Sequence, residues 1–309
     1  MPTYPAYLGL LENGELERRA ERAHGFMRNC VLCGQRCEVD RLETIDGAVC
    51  RTGERAVVAS YGPHHGEENP LRGTRGSGTI FFGWCNMRCT YCQNHDISHK
   101  GSGVEVTAED LAGMMLELQG AGCHNINFVS PSHVVAQVLG GLAVAARQGL
   151  RLPLVFNTGG YDSPESLELL DGVIDIYMPD MKYGDSKTAR QYSHVQNYVA
   201  VNRAAIKEMH RQVGDLVLDD AGIARRGLLV RHLVLPGGLA DSGKVLKFLA
   251  EEISPGTYLN LMDQYHPAFR AHRYPPLDRT LDRGEFDRAL ALAAKYGLRR
   301  LDRHFSRWC

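Results

Sequence analysis

The sequence predicts an α/β protein with a parallel sheet, open or partly closed into a barrel, behind a cysteine-rich N-terminal extension. Two observations carry this. From Thr79 onward, short apolar runs alternate with longer amphipathic ones, which is the pattern of β-then-α units. Polar residues gather just after the apolar runs, and loops at the carboxyl ends of parallel strands are where such folds place their sites.

Taken in order, the stretch to about Arg75 reads as irregular. A charged, helix-like run from Leu10 to Met27 leads into Cys30, Cys33 and Cys37, with Cys50 further on. Gly62 to Gly78 is dominated by glycine and charge and reads as a loop or linker. Strands are expected at Thr79–Gly83, Asn125–Val129, Leu152–Asn157, Val173–Met178, Leu228–Leu235 and Tyr258–Met262. Helices are expected at Ala108–Ala121, Ser132–Gln148, Pro164–Leu170, Ala200–Val213, Ser242–Glu252 and Arg283–Tyr296. The first of these has Thr107 as N-cap with Asp110 three residues on, and the last stops at Gly297. The implied division is a cysteine-rich segment over residues 1–75, a barrel over 76–267 and a helical extension over 268–309.

Composition narrows the function. With 35 basic and 36 acidic residues the net charge is −1, so no global field draws the chain to nucleic acid or to an anionic membrane. No apolar run reaches the roughly 18 residues of a membrane span, and the N-terminus lacks the order of a signal peptide. A cytoplasmic setting follows as the expectation, with the nine cysteines read as reduced ligands rather than disulfides.

The sharpest motif is Cys85-x3-Cys89-x2-Cys92, directly after the first expected strand. Three thiolates on a four-iron cluster leave one iron open. An open iron can hold the amine and carboxylate of S-adenosylmethionine (SAM), and an electron passed into the sulfonium releases a 5′-deoxyadenosyl radical. The competing reading is a zinc site completed by His95 or His99, but zinc favours Cys-x2-Cys knuckles. Tyr91 either lies against the adenine or packs the loop.

Cys30, Cys33, Cys37 and Cys50 supply four thiolates, enough for a closed site holding structural zinc or an electron-relaying iron–sulfur cluster. A free catalytic thiol at Cys37 or Cys50 is the alternative. Asp180 and Lys182, two apart, share a face. Lys182 would pair the carboxylate of the cofactor, with Asp180 on a cation or ribose hydroxyl; otherwise the two form an ordinary ion pair at the rim. Only one of Arg231 and His232 can face the interior. His133 reads as a mouth residue or a solvated loop histidine. The segment His64–Glu68 lacks the helical spacing for two metal ligands on one face and is left unassigned, a polar loop over the cluster being the alternative to a metal site. Cys123 reads as buried packing and Cys309 as a terminal thiol.

The segments Cys30–Cys37, Gly47–Gly53, His65–Pro70, Gly76–Asn94, Asn125–His133, Asp175–Tyr183, Arg231–Gly237 and Asn260–Tyr265 together resemble radical SAM proteins. The resemblance is to the branch related to pyruvate formate-lyase activating enzyme, in forms with an N-terminal four-cysteine segment. It implies a partial (β/α)6 barrel with the cluster at its mouth, bound by Cys85, Cys89 and Cys92. Asn157, Thr158, Asp180 and Lys182 would lie around the cofactor; His133 and Tyr91 are candidate contacts from their own positions at the mouth and in the cysteine loop. It also implies a reductant such as flavodoxin or ferredoxin. Two departures stand out: Ser130-Pro131-Ser132-His133 replaces a Gly-Gly-Glu-type stretch, and Gly76-Ser77-Gly78-Thr79 replaces a Gly-rich, Arg-containing signature. Cofactor cleavage therefore transfers better than glycyl-radical activation. Three functions follow: hydrogen abstraction from a partner protein, radical chemistry on a small molecule such as a sugar, or a non-catalytic iron–sulfur or zinc protein.

Overall fold

The structure is a computed structural model and describes residues 4–302; Cys309 lies outside them. In chain order the strands are β1 (Ala56–His64), β2 (Ser77–Phe82), β3 (Val104–Val106), β4 (Ile126–Val129), β5 (Leu154–Thr158), β6 (Ile176–Pro179), β7 (Val217–Leu218), β8 (Ala224–Leu233) and β9 (Tyr258–Met262). They form one mixed sheet, ordered β3-β1-β2-β4-β5-β6-β8-β7, with β9 also paired to β8. The run β2-β4-β5-β6-β8-β9 is parallel throughout. These are the six strands expected from the sequence, and the partly closed sheet they make is the expected partial barrel. The edge of β9 is covered where Leu259 donates to Arg300 O and accepts from Asp302 N, each at 2.9 Å.

The stretch expected to be irregular contains β1, which pairs antiparallel with both β2 and β3. Gly62 and Pro63 hide it in the sequence. β3 covers only Ala56–Val58, so Ser60–His64 have a free edge on which the missing N–H of Pro63 costs nothing. The charged run Leu10–Met27 is broken at Gly14, whose φ is +71°, into helices Tyr7–Glu12 and Glu15–Gly25.

Helix Val135–Arg147 buries Val135, Val138, Leu139, Leu142, Ala145 and Ala146 among others. It is apolar on nearly every side because it is covered twice, by helix Ala108–Gly120 and by helix Glu15–Gly25. The extension is thus packed onto the barrel. Both reciprocal caps are formed, Thr107 with Asp110 as expected and Asp282 with Glu285 in addition. Among the described residues no helix is long and apolar enough to cross a membrane.

Asp175, fully buried at the foot of β6, accepts from Ala6 N at 2.9 Å and Leu154 N at 3.0 Å. It ties the N-terminal segment to two adjacent strands. Asp175→Ala leaves both donors without a partner and is expected to lower stability by about 2–4 kcal/mol, measured by denaturant unfolding.

Candidate active site

The loop from Gly83 to Asn94 leaves the carboxyl end of β2 and is held from three sides. Gly83 N donates to Val57 O at 2.7 Å, and Trp84 N to Ile97 O at 2.9 Å. Arg88 N and Thr90 N reach Ser193 O and Tyr192 O at 3.1 and 2.7 Å. A Cβ on Gly83 would stand 2.7 Å from Val57 Cγ1, so β1 and the root of the loop meet with no room for a side chain.

Cys85, Cys89 and Cys92 are free thiols on this loop. Met87 N donates to Cys85 Sγ at 3.4 Å, Cys89 Sγ lies 2.9 Å from Ser193 Oγ, and Cys92 Sγ lies 3.1 Å from Ser98 Oγ. Burial pushes the Cys85 thiol up to about 12 and the Cys89 thiol up to about 11. Lys182 opposes the shift at both. Metal binding here would therefore release protons. Among the described residues no three ligand-type side chains are arranged around a single ion. In a four-iron cluster each thiolate has its own iron, a wider arrangement. The donor set fits that group: three thiols on one loop and a cation beside them.

His95 and His99, the alternative zinc ligands, both lie on the Phe269 ring, His95 stacked at 5.2 Å and His99 tilted at 4.5 Å. His99 Nε2 is also engaged by Cys89 O at 3.0 Å. Beneath the loop lies a tyrosine-rich cluster containing Tyr91, Tyr161, Tyr183, Tyr192, Tyr198 and Tyr265. Tyr91 is buried in it and donates to Tyr183 Oη at 2.7 Å. Tyr183 in turn meets Ser193 Oγ at 2.7 Å. Tyr91 thus reaches Cys89 through Tyr183 and Ser193.

The strand ends bring Asn157, Asp180, Lys182 and Arg231 to one side. Lys182 Nζ donates to Asp180 Oδ2. Burial opposes the Lys182 charge, but Asp180 and then Cys89 outweigh it and hold the ammonium well above its ordinary range. Arg231, not His232, faces the interior. It donates to Glu68 Oε1 at 2.6 Å and to Asn157 Oδ1 at 3.4 Å, and bridges to Asp180 along the backbone. His232 is buried on the other face between Met181 O and Ser242 Oγ.

Thr158 turns away from Asn157, as adjacent strand residues must. Its hydroxyl donates to Asp162 Oδ2 at 2.7 Å and accepts from Gly160 N at 3.1 Å. It therefore shapes the Gly159-Gly160 turn. A Cβ on Gly159 would come 2.8 Å from Met87 Sδ, so this turn closes against the cysteine loop. His133 is buried rather than solvated, because its Nε2 meets Gly83 O at 3.0 Å inside the fold. Burial pushes it down to about 3, so it braces the loop root as a neutral imidazole.

The segment His64–Glu68 is not a loop over the cluster. His64 pairs with Ser77 at the start of β2, at the opposite end from the cysteines, so the segment does not cover them. Glu67 and Glu68, 4% and 2% exposed, enter the barrel interior. Glu68 accepts from Arg231 and from Asn260 Nδ2, the latter at 2.7 Å. Glu67 lies 3.5 Å from Arg231 and is pushed up to about 7, chiefly by burial. Glu67 Oε2 has only that ion pair, and Glu68 Oε2 and both amide atoms of Asn127 make no well-formed hydrogen bond. No spacing signal links residues 67, 127, 231 and 260; only the barrel does.

Residues 79–219 match the model of the Radical SAM superfamily. The chain belongs to the radical SAM superfamily. Its relatives include an uncharacterized protein, MJ0674, of Methanocaldococcus jannaschii, 31% identical over 293 residues, which span 92% of this chain and 79% of that one. Among solved structures it is similar to TYW1 with a lysine-pyruvate adduct bound, at a TM-score of 0.43 and 12% identity over 71% of this chain and 72% of that one. It is also similar to the FeFe-hydrogenase maturase HydG from Carboxydothermus hydrogenoformans, at 0.45 and 13% over 71% and 50%. At these scores neither bears on the substrate. As a radical SAM enzyme the chain uses a [4Fe-4S] cluster and S-adenosylmethionine, and it requires a reductant and a substrate.

Asp162 is buried beside the Thr158 turn and is raised by burial from 3.8 to about 6. The folded chain therefore prefers the protonated form. The stability this gives is complete below the ordinary value and is lost as pH rises through about 6. Asp162→Asn is expected to reduce the fall in stability between pH 4.5 and 7 by on the order of 2 kcal/mol, measured by denaturant unfolding of the cluster-free chain.

Proposed function

We propose that Cys85, Cys89 and Cys92 hold the cluster, that S-adenosylmethionine lies between their loop and the ends of β5 and β6, and that the substrate is a small polar molecule inside the barrel. When bound, the cluster and cofactor supply a one-electron cleavage to methionine and a 5′-deoxyadenosyl radical, which takes a hydrogen atom from the substrate.

The chain's own residues position and shield. The Gly159-Gly160 turn, shaped by Thr158, packs against Met87 with no room for a side chain, and so fixes the cysteine loop beside the ends of β5 and β6. Lys182 offers a cation to a carboxylate near Cys89, and Asp180 offers an acceptor to an ammonium or ribose hydroxyl. Asn157, on the interior face with Arg231, adds an amide. The reductant would be a flavodoxin or ferredoxin.

The observation that supports a small substrate is the polar barrel floor. Glu67, Glu68, Asn127 and Asn260 are buried there; Glu67 Oε2 is held only by the 3.5 Å ion pair to Arg231, and Glu68 Oε2 and the Asn127 amide lack a well-formed hydrogen bond. Buried polar groups need partners, and a molecule rich in hydroxyl or amine donors supplies them. The competing reading, hydrogen abstraction from a glycyl-radical-type protein, draws on the resemblance of the Gly76–Asn94 segment to activating enzymes.

Two measurements test this. Cys89→Ala should lower dithionite-driven 5′-deoxyadenosine formation to background, and Lys182→Gln should weaken S-adenosylmethionine binding about tenfold, or about 1.4 kcal/mol. Adding the low-molecular-weight filtrate of a cell extract should raise 5′-deoxyadenosine turnover. Stimulation by the retained protein fraction alone would instead support the protein substrate.

A further inference from the structure

Arg41 is 2% exposed, and no carboxylate reaches it among the described residues. Its Nε donates to Thr52 O at 2.6 Å and its Nη1 to Cys30 Sγ at 3.5 Å. Nη2 is buried with no partner. A guanidinium cannot shed its proton to escape this, and a buried cation without a counter-charge is strongly unfavourable. The neighbouring group that can become anionic is a sulfur, the Cys30 Sγ that accepts from Nη1. Four thiolates around iron–sulfur or zinc carry net negative charge, which this cation would balance.

The same segment docks on the cysteine loop of the active site. Gly34 N, next to Cys33, donates to Tyr161 O at 2.9 Å. Asn86 Nδ2, next to Cys85, donates to the same oxygen at 2.8 Å. Gln35 Nε2 reaches Asn86 O at 2.7 Å. A Cβ on Gly34 would stand 2.7 Å from the Tyr161 ring, so the approach is as close as backbone allows. Arg51, next to Cys50, lies over Trp84, next to Cys85, at 5.4 Å. Gln35 and Arg51, within two residues of Cys33 and Cys50, thus touch Asn86 and Trp84, the two neighbours of Cys85, and Gly34 shares the Tyr161 oxygen with Asn86. A site that only braces the fold does not need this. A site that passes electrons does.

We infer that Cys30, Cys33, Cys37 and Cys50 hold a second iron–sulfur cluster, that it passes single electrons from a flavodoxin- or ferredoxin-class reductant to the cluster at Cys85, Cys89 and Cys92, and that Arg41 is its buried counter-cation. This rests on the proposed cluster ligands. Charge and hydrogen bonds at the ligating sulfurs set cluster potentials. Arg41 therefore favours the reduced form and eases electron entry.

The test removes the active-site ligands first, so that it does not depend on turnover. After anaerobic reconstitution with iron, sulfide and zinc all present, the Cys85→Ala/Cys89→Ala/Cys92→Ala chain should retain about four irons and four sulfides and give a paramagnetic signal on reduction. One zinc and no iron would overturn the inference and leave the proposed function standing. Adding Arg41→Gln to this background should move the midpoint potential of that signal to more negative values, while Arg41→Lys, which keeps the charge, should hold it closer to the parent. An unchanged midpoint in Arg41→Gln, or loss of iron from both variants, would overturn the role of Arg41. In the otherwise unaltered chain, Arg41→Gln should slow flavodoxin-driven reduction of the active-site cluster at least tenfold; an unchanged rate would overturn the relay.

Discussion

The parallel register that pairs Phe81 with Val129, Val129 with Asn157, and Thr158 with Pro179 brings the ends of four strands to one level. The cysteine loop leaves from the first of these strands, and Asn157, Asp180 and Lys182 stand at the others. Because side chains alternate with period two, a one-residue slip in any pair would send Asn157 outward and Thr158 inward. β1 secures the other side. Its antiparallel pairing with β2 places Val57 against Gly83, so the root of the loop is clamped between two strands and the buried His133.

This geometry carries an energetic cost in the interior. Most parallel sheets are packed with aliphatic side chains on both faces, whereas this barrel encloses Glu67, Glu68, Asn127, Arg231 and Asn260. Arg231 organises them. It is held by Glu68 below and Asn157 above, which links the barrel floor to the residues at the mouth. Such a network is stabilising only when its members are satisfied. The network atoms that lack a well-formed hydrogen bond, on Glu67, Glu68 and Asn127, are grouped at the floor, where the proposed substrate would lie.

Much of this was legible in the chain. Six apolar runs gave six parallel strands, and Thr107 with Asp110 gave a reciprocal cap, because period and capping chemistry are local. The cysteine spacing pointed to radical SAM chemistry for the same reason. What escaped was non-local. β1 was hidden by Gly62 and Pro63, which break strands unless an edge is free. Glu67 and Glu68 looked like loop residues because the partner that buries them, Arg231, is more than a hundred positions away in the chain. Arg41 was one basic residue among many until the fold enclosed it with thiols. His133 read as a mouth or solvated loop residue because its partner, the Gly83 carbonyl, belongs to another strand end.

The central claim is that the loop of Cys85, Cys89 and Cys92 leaves one iron open to S-adenosylmethionine beside Lys182. Electron paramagnetic resonance of the reduced, reconstituted chain with and without the cofactor addresses it most directly. The account predicts that S-adenosylmethionine changes the cluster signal, and that 17O or 15N labels in its methionyl carboxylate and amine couple to the cluster. A signal from a complete cluster that is unaltered by the cofactor, with no coupling to either label, would contradict it.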